Sequence, residues 1–271
     1  MERICVCGLG RVGLPLLEML RYIGFQAIGY DLDPAKTECN GAEAVDRSDA
    51  AIFIVQTPSN PDGSFSNAHL FEALERFSRH AAVQKKHDYL YIIGSTTTPG
   101  SCNKFLEMVG PNICYKPEFI RLADVRRDLL NPAIVLIGSN HKGAGDQCEE
   151  IYKRVTSAPV KRMSMIEAEL AKITLNCALT MKISLANQLH LVAKELGADS
   201  SIIMDAVGSD PRIGNAYLKP GSPYGGPCLP RDNRMFQYVA KTVGVDACLS
   251  AAADQINESE GIGKLKTAEV V

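Results

Sequence analysis

With 271 residues, 46% hydrophobic and 22% charged, the chain has the composition of a globular protein long enough for two domains and a substantial core. Its net charge of −2 advertises neither a nucleic-acid nor a membrane partner, and no apolar run is long enough to span a bilayer. Nine cysteines at scattered spacings build no disulfide framework and the five histidines are dispersed, so buried thiols in a reducing cytoplasm are expected, and no metal site.

The N-terminus runs straight into the strand-like Arg3-Ile-Cys-Val-Cys7, where Cys5 and Cys7 share one face, so no signal peptide is expected. Gly8-Leu-Gly-Arg-Val-Gly13 follows, then a helical pattern through Leu16, Leu17, Leu20 and Ile23 to Gly24, then a second strand ending at Asp31. A lone glycine triplet is a weak signal. Between a strand and a helix, with an acidic residue at this distance, it favours a dinucleotide site over a turn that binds nothing. Gly8 makes the turn, Gly10 admits a pyrophosphate and Gly13 lets helix and strand pack closely, while the phosphates meet free N–H groups at the helix start. Asp31 binds ribose hydroxyls and repels a 2′-phosphate, which favours NAD over NADP.

Further strands are expected at 51–55, 89–94, 112–115 and 134–138, with helices at 68–82 and 100–109 and a closing strand at 160–163. The alternation predicts an α/β fold, a Rossmann-type, doubly wound, mostly parallel sheet. Polar loops leave two strand ends at Gln56-Thr-Pro-Ser59 and Ser95-Thr-Thr-Thr-Pro-Gly100. Ligands bind at strand C-termini in such folds, so Thr57 and Thr96 are candidate contacts; they read equally well as turn-capping hydroxyls.

From Ser164 the pattern changes. Residues 165–196 contain no glycine or proline and predict one helix of roughly 45–50 Å, stopped by Gly197, as the spine of an all-helical second domain or a dimer contact. Shorter helices are expected at 199–207, 230–242 and 246–258, with a fraying tail or linker from Gly261. The division is therefore 1–163, a nucleotide-binding domain, and 164–271, a helical substrate and dimerisation domain. Lys172 and Asn176 share one face of the spine helix beside apolar residues, where a lysine beside an amide is suited either to stabilise an oxyanion or to give up a proton readily.

The stretch from Ser222 to Asp232, Ser-Pro-Tyr-Gly-Gly-Pro-Cys-Leu-Pro-Arg-Asp, concentrates unusual residues. Gly225 and Gly226 allow close backbone approach to a ligand. Pro230 suits a first helical turn, which puts Cys228 at a helix start, where the dipole favours a thiolate, and Asp232 in the first turn. Alone, the stretch supports a nucleophile and a buried thiol beside a capping aspartate about equally.

These segments together resemble the UDP-glucose/GDP-mannose dehydrogenase family, in order as well as in wording. The resemblance rests on Gly8-Leu-Gly-Arg-Val-Gly-Leu-Pro15, Gln56-Thr-Pro58, Ser95-Thr-Thr-Thr-Pro-Gly100, Lys116-Pro-Glu-Phe119, Ala168-Glu-Leu-Ala-Lys-Ile-Thr-Leu-Asn176, Asp210-Pro-Arg-Ile-Gly214 and Tyr224-Gly-Gly-Pro-Cys-Leu-Pro-Arg-Asp232. It implies oxidation of a sugar CH₂OH to a carboxylate with two NAD⁺, as in polysaccharide biosynthesis. It implies a nucleotide sugar as the small-molecule substrate and a homodimer through the helical domain. Cys228 would trap the aldehyde as a thiohemiacetal that is oxidised to a thioester. Lys172 and Asn176 would stabilise the oxyanion, Asp232 would orient Lys172 or a water, Glu118 would assist hydrolysis as a base, and Thr96 would hold a water. Gly8, Gly10, Arg11, Val12, Gly13, Asp31, Thr57 and Thr96 would bind NAD. Glu118, Phe119, Arg121, Arg212, Tyr224, Gly225 and Gly226 would bind substrate, Arg212 from a neighbouring subunit. Thiol, ammonium and nicotinamide would meet at one carbon.

The sequence departs from the family in four places. It is short between Asp31 and Ala51, Leu122 stands where a second glutamate often follows, Arg231 replaces a lysine, and the match stops after Asn257, where a third, nucleotide-gripping domain would begin. Two other readings remain: a two-electron hydroxyacid or alcohol dehydrogenase, which has no use for Cys228, and a non-catalytic NAD-binding module.

Overall fold

β1 (Arg3–Cys7) has Ile4, Cys5 and Val6 fully buried, because apolar layers cover both of its faces. The computed structural model describes residues 1–121, 124–259 and 262. α1 (Gly13–Ile23) stops at Gly24, whose φ of 100° is open to glycine and whose N–H caps the Leu20 and Arg21 carbonyls. There follow β2 (Gln26–Tyr30), α2 (Gly41–Asp46), β3 (Ala50–Phe53), α3 (Ala68–Val83), β4 (Leu90–Ile93), α4 (Ser101–Val109), β5 (Ile113–Tyr115), α5 (Val125–Leu130), β6 (Val135–Gly138), α6 (Lys142–Val155) and β7 (Val160–Met163).

The strands form one sheet in the order β2-β1-β3-β4-β5-β6-β7, parallel except where β6 runs against β5. Cys5, Phe53 and Tyr91 face a layer that includes α3 and α4, with Phe77 edge-on to Phe53 at 5.2 Å. Ile4, Ile52 and Ile92 face the opposite layer, which includes α1 and α6. The expected doubly wound α/β fold is thus present. α2, α5 and α6 were not anticipated.

The brevity between Asp31 and Ala51 has a structural consequence: β2 is an edge strand. Its outer backbone groups are paired by the segment that follows. Glu38 takes the Gly29 N–H on its carboxylate (2.8 Å) and gives its own N–H to the Gly29 carbonyl (3.1 Å), while Thr37 Oγ1 accepts from Asp31 N–H (3.1 Å). Arg21 pairs with Glu38 and donates to the Ala27 carbonyl (3.0 Å). An edge closed in this way offers no row of free donors to another chain.

Burial raises the Glu38 pKa, but the bonds from Arg21 and the Gly29 N–H outweigh it and hold the carboxyl below its ordinary 4.5. A depressed acid stabilises above its unfolded pKa and loses that contribution as pH falls through its folded pKa. E38Q is therefore expected to lose about 1 kcal/mol at pH 7, screened by partial exposure, with the gap to wild type closing below about pH 4. Urea denaturation of both proteins at pH 7 and pH 3 measures this; an unchanged gap at pH 3 contradicts the charge assignment.

Two compact units are distinguished: Met1–Pro58 with Phe65–Lys172, and Ser59–Ser64 with Ile173–Val271. α7 (Met165–Glu195) runs from the first into the second. It opens with a reciprocal cap in which Ser164 Oγ accepts from Glu167 N–H and Glu167 accepts from Ser164 N–H. It closes at Gly197, φ 69°. The second unit adds α8 (Ser200–Gly208), α9 (Leu229–Thr242) and α10 (Cys248–Glu258). The tail expected from Gly261 lies outside the described residues, Ile262 excepted. No described helix is long and apolar enough to cross a membrane.

Candidate active site

In the first unit the glycine turn is built as its spacing requires. Gly8 has φ 97°, and a β-carbon on it would lie 2.3 Å from the Ile54 carbonyl oxygen. A β-carbon on Gly13 would lie 1.8 Å from the Gly8 oxygen, so two backbones touch there. Gly10 faces open space. Val12 precedes α1 without a side-chain cap; Leu14 N–H bonds back to the Gly10 carbonyl (3.2 Å) and Pro15 has no N–H, so in this first turn it is the Gly13 N–H that an anion could meet. Arg11 is exposed beside this turn.

Asp31 ends β2 and is held by two backbone donors, Leu9 N–H on Oδ2 (2.6 Å) and Asp33 N–H on Oδ1 (2.8 Å). A cavity of about 230 Å³ is lined by Gly8, Gly10, Asp31, Lys36 and Arg76 among others. Open space over Gly10, an uncapped helix start and an acid at the strand end fit a dinucleotide such as NAD. Thr57 is buried, and its hydroxyl donates to the Thr96 carbonyl (2.7 Å); it ties two loops together.

A second cluster forms around Glu118. Lys172 is buried; its Nζ donates to the Glu118 carbonyl (3.0 Å) and lies 4.9 Å from the centre of the Phe119 ring. Lys116 forms an ion pair with Glu118 Oε2 at 2.5 Å, the two side chains only 7% and 9% exposed, and rests over the Tyr152 ring. Among the described residues Glu118 Oε1 is buried and meets no donor in good hydrogen-bonding geometry, and the Tyr152 hydroxyl, likewise unmet, lies beside the carboxylate. A buried acceptor left open in this way is an anomaly that a substrate hydroxyl or a water would resolve. Lys116 and Tyr152 were not singled out in the sequence, since nothing local says that they surround Glu118.

Glu169, one turn before Lys172, is 1% exposed. Its carboxylate accepts from the Thr97 hydroxyl (2.9 Å), the Gly100 N–H (2.8 Å) and the Cys102 N–H (3.0 Å), closing the start of α4, which has no side-chain cap of its own. A cap contributes about 1 kcal/mol, whereas stripping water from a carboxylate costs several.

In the second unit Cys228 is exposed at the N-cap of α9, with Pro230 in the first turn as expected. Asp232 is 1% exposed and accepts from Asn176 Nδ2 (2.6 Å) and Arg231 Nε (3.2 Å). The role expected of Asp232 is to orient Lys172 or a water; the α7 side chain that bonds it here is Asn176. A buried network holds it: Thr180 bonds Asn233 Oδ1 (3.0 Å), and Asn233 exchanges bonds with Ser250 (2.6 and 2.9 Å). Tyr224 is also buried; its hydroxyl is taken by Asp254, and its backbone N–H and carbonyl are both paired with Asn257. Tyr224 thus anchors the loop of Gly225 and Gly226, which are exposed. A groove of about 990 Å³ runs from Gly226 and Pro227 along α9 past Arg231, Arg234 and Lys241.

Two arginines are not gathered into these clusters. Arg212 folds onto Asp210 (2.6 Å) with 86% of its side chain exposed. Arg121 pairs with Asp128 at 2.7 Å and is 63% exposed. Leu122 lies outside the described residues.

Comparison with known proteins decides the affiliation. Residues 36–156 match the model of the "UDP-glucose/GDP-mannose dehydrogenase family, NAD binding domain", and residues 166–259 match that family's "central domain". The chain belongs to the UDP-glucose/GDP-mannose dehydrogenase family. It is 30% identical over 223 residues to the UDP-glucose 6-dehydrogenase of Rickettsia bellii, covering 80% of this chain and 50% of that one. It is 27% identical over 301 residues to the GDP-mannose 6-dehydrogenase of Pseudomonas syringae pv. tomato, covering 95% and 68%. The solved UDP-glucose dehydrogenase of Pyrobaculum islandicum superposes with a TM-score of 0.86 at 29% identity, covering 95% and 68%. The chain therefore spans about half to two thirds of these relatives' lengths. Within this dehydrogenase family the matched NAD-binding span begins after Asp31, so the glycine turn is assigned here by its geometry.

Proposed function

We propose that this chain oxidises the primary alcohol of a nucleotide sugar to a carboxylate through a covalent cysteine intermediate. The reading is carried by Cys228, an exposed thiol at the start of a helix whose first-turn aspartate is buried against Asn176. NAD⁺ held by Gly8, Gly10, Arg11, Val12, Gly13 and Asp31 would accept one hydride, and a second NAD⁺, entering as NADH leaves, would accept the other.

A base removes the alcohol proton as the first hydride leaves and an aldehyde forms. The Cys228 sulfur adds to the aldehyde carbon, and the resulting alkoxide is stabilised by Lys172 and Asn176. Loss of a second hydride turns this thiohemiacetal into a thioester. Water, deprotonated with help from the open Glu118 oxygen and positioned by Thr96, cleaves the C–S bond; carboxylate leaves and the thiol is regenerated. Preformed donors aimed at such an oxyanion commonly contribute about 3–4 kcal/mol each. Phe119, Tyr224, Gly225 and Gly226 would contact the sugar in this reading. Arg121 and Arg212, exposed in the single chain, would reach substrate only after rearrangement or from another subunit. A homodimer through α7, whose Leu185 and Val192 are exposed, belongs to the same reading.

The test is stoichiometric. Incubated with NAD⁺ and UDP-glucose or GDP-mannose, the protein is expected to form two NADH per sugar consumed. One NADH with accumulating aldehyde overturns the thioester route in favour of a two-electron dehydrogenase. Tight NAD⁺ binding without turnover of either sugar points to a binding module instead.

A further inference from the structure

Glu169 has no part in the chemistry proposed above, yet its surroundings tie it to two residues that do. Both of its oxygens are used on one short stretch of chain. Oε1 takes the Thr97 hydroxyl and the Cys102 N–H, and Oε2 takes the Gly100 N–H. That stretch begins at Thr96, whose carbonyl is pinned from the other side by Thr57. One turn further along α7 is Lys172, which reaches the Glu118 carbonyl. A neutral hydroxyl would cap α4 without burying a charge, so capping alone does not account for a carboxylate here. Oε1 spans both ends of the 97–102 turn and Oε2 takes the Gly100 N–H between them, so one carboxylate satisfies three donors that a single hydroxyl could not.

We propose that Glu169 is a positioning residue, which locks the Thr96 loop to the turn of α7 bearing Lys172 and so keeps the hydroxyl and the ammonium at one spacing. The inference rests on the dehydrogenase reading. The groups that face Glu169 are neutral: the Thr97 hydroxyl, the Gly100 and Cys102 N–H groups, and the Cys102 thiol, which burial and the nearby carboxylate keep protonated. Lys172 is the charged neighbour on its own helix. Burial raises the Glu169 pKa above its ordinary value, and the bonds from Gly100, Cys102 and Thr97 oppose that rise. Protonation sets an O–H against incoming donors and opens the lock, so activity should fall as pH drops through this raised pKa.

E169Q keeps the volume and sets an N–H against those same donors. It is expected to lower kcat by about 10²-fold, the penalty of an ångström-scale misplacement. KM for both substrates should stay within about threefold, and the Glu169 acidic limb should vanish from the kcat profile. T97V removes one donor while keeping shape; it should lower kcat less and move that limb to higher pH. Amide hydrogen exchange at Gly100 and Cys102 reads the lock without substrate and should accelerate in both variants. Wild-type kcat and pH profile in E169Q overturn the positioning role, and unchanged exchange in both variants overturns the lock. A wild-type protein that forms no NADH with any nucleotide sugar overturns the dehydrogenase reading instead, and exchange still decides the lock.

Discussion

Cys228→Ala is expected to lower carboxylate formation by at least about 10³-fold, equivalent to about 4 kcal/mol of barrier, while NAD⁺ binding is unchanged. The sulfur is the atom that keeps the aldehyde from escaping between two oxidations. Without it the first hydride transfer retains its base and its acceptor, but the second has no thiohemiacetal to oxidise. Aldehyde should then appear in solution, where hydroxylamine traps it. Cys228 is exposed at a helix start, so its loss disturbs little packing, and the melting temperature should shift by no more than a surface substitution shifts it, about 0.5 kcal/mol in stability terms. Carboxylate formed at the wild-type rate by the alanine variant removes the covalent route altogether.

Gly13→Ala and Gly10→Ala should fail in different ways. The added methyl at residue 13 would sit 1.8 Å from the Gly8 oxygen, and neither atom is the end of a flexible side chain. β1 and α1 must separate, at a cost of about 3 kcal/mol or more, because overpacking against backbone has no rotamer to relax into. A fall in melting temperature together with loss of NAD⁺ binding is expected. At residue 10 the methyl enters open space, so the fold should persist and NAD⁺ affinity alone should fall, the methyl occupying the approach of the pyrophosphate. Calorimetry and NAD⁺ titration of the two variants separate these effects. Full NAD⁺ affinity in the residue 10 variant would remove the pyrophosphate from this turn.

What is periodic or local in this protein is legible in its sequence. The glycine turn with Asp31 and the long α7 with its stop at Gly197 could be placed by spacing alone. So could the helix start beside Cys228, since a turn needing positive φ, a run of helix formers and a proline in a first turn each leave a mark within a few residues. α2 had such a mark, the Asn40–Glu43 reciprocal cap, and α6 buries Ala144, Cys148, Ile151, Tyr152 and Val155 at helical spacing. Two glycines and a charged outer face obscure the α6 pattern.

The polar partnerships are another matter. Glu169 with the Thr97 turn, Lys116 and Tyr152 around Glu118, Asp232 on Asn176 and the Thr180–Asn233–Ser250 network were decided by the tertiary structure. Lys116 and Glu118 are close in sequence, but their burial beneath Tyr152 is not. The other partners lie 17 to 72 residues apart, and a hydrogen bond formed across that distance leaves no period in the chain. Each polar side chain here carries the same propensities on a solvated face as in a dry interior, and only burial, which strips away water and obliges each donor to find an acceptor, turns them into parts of a site.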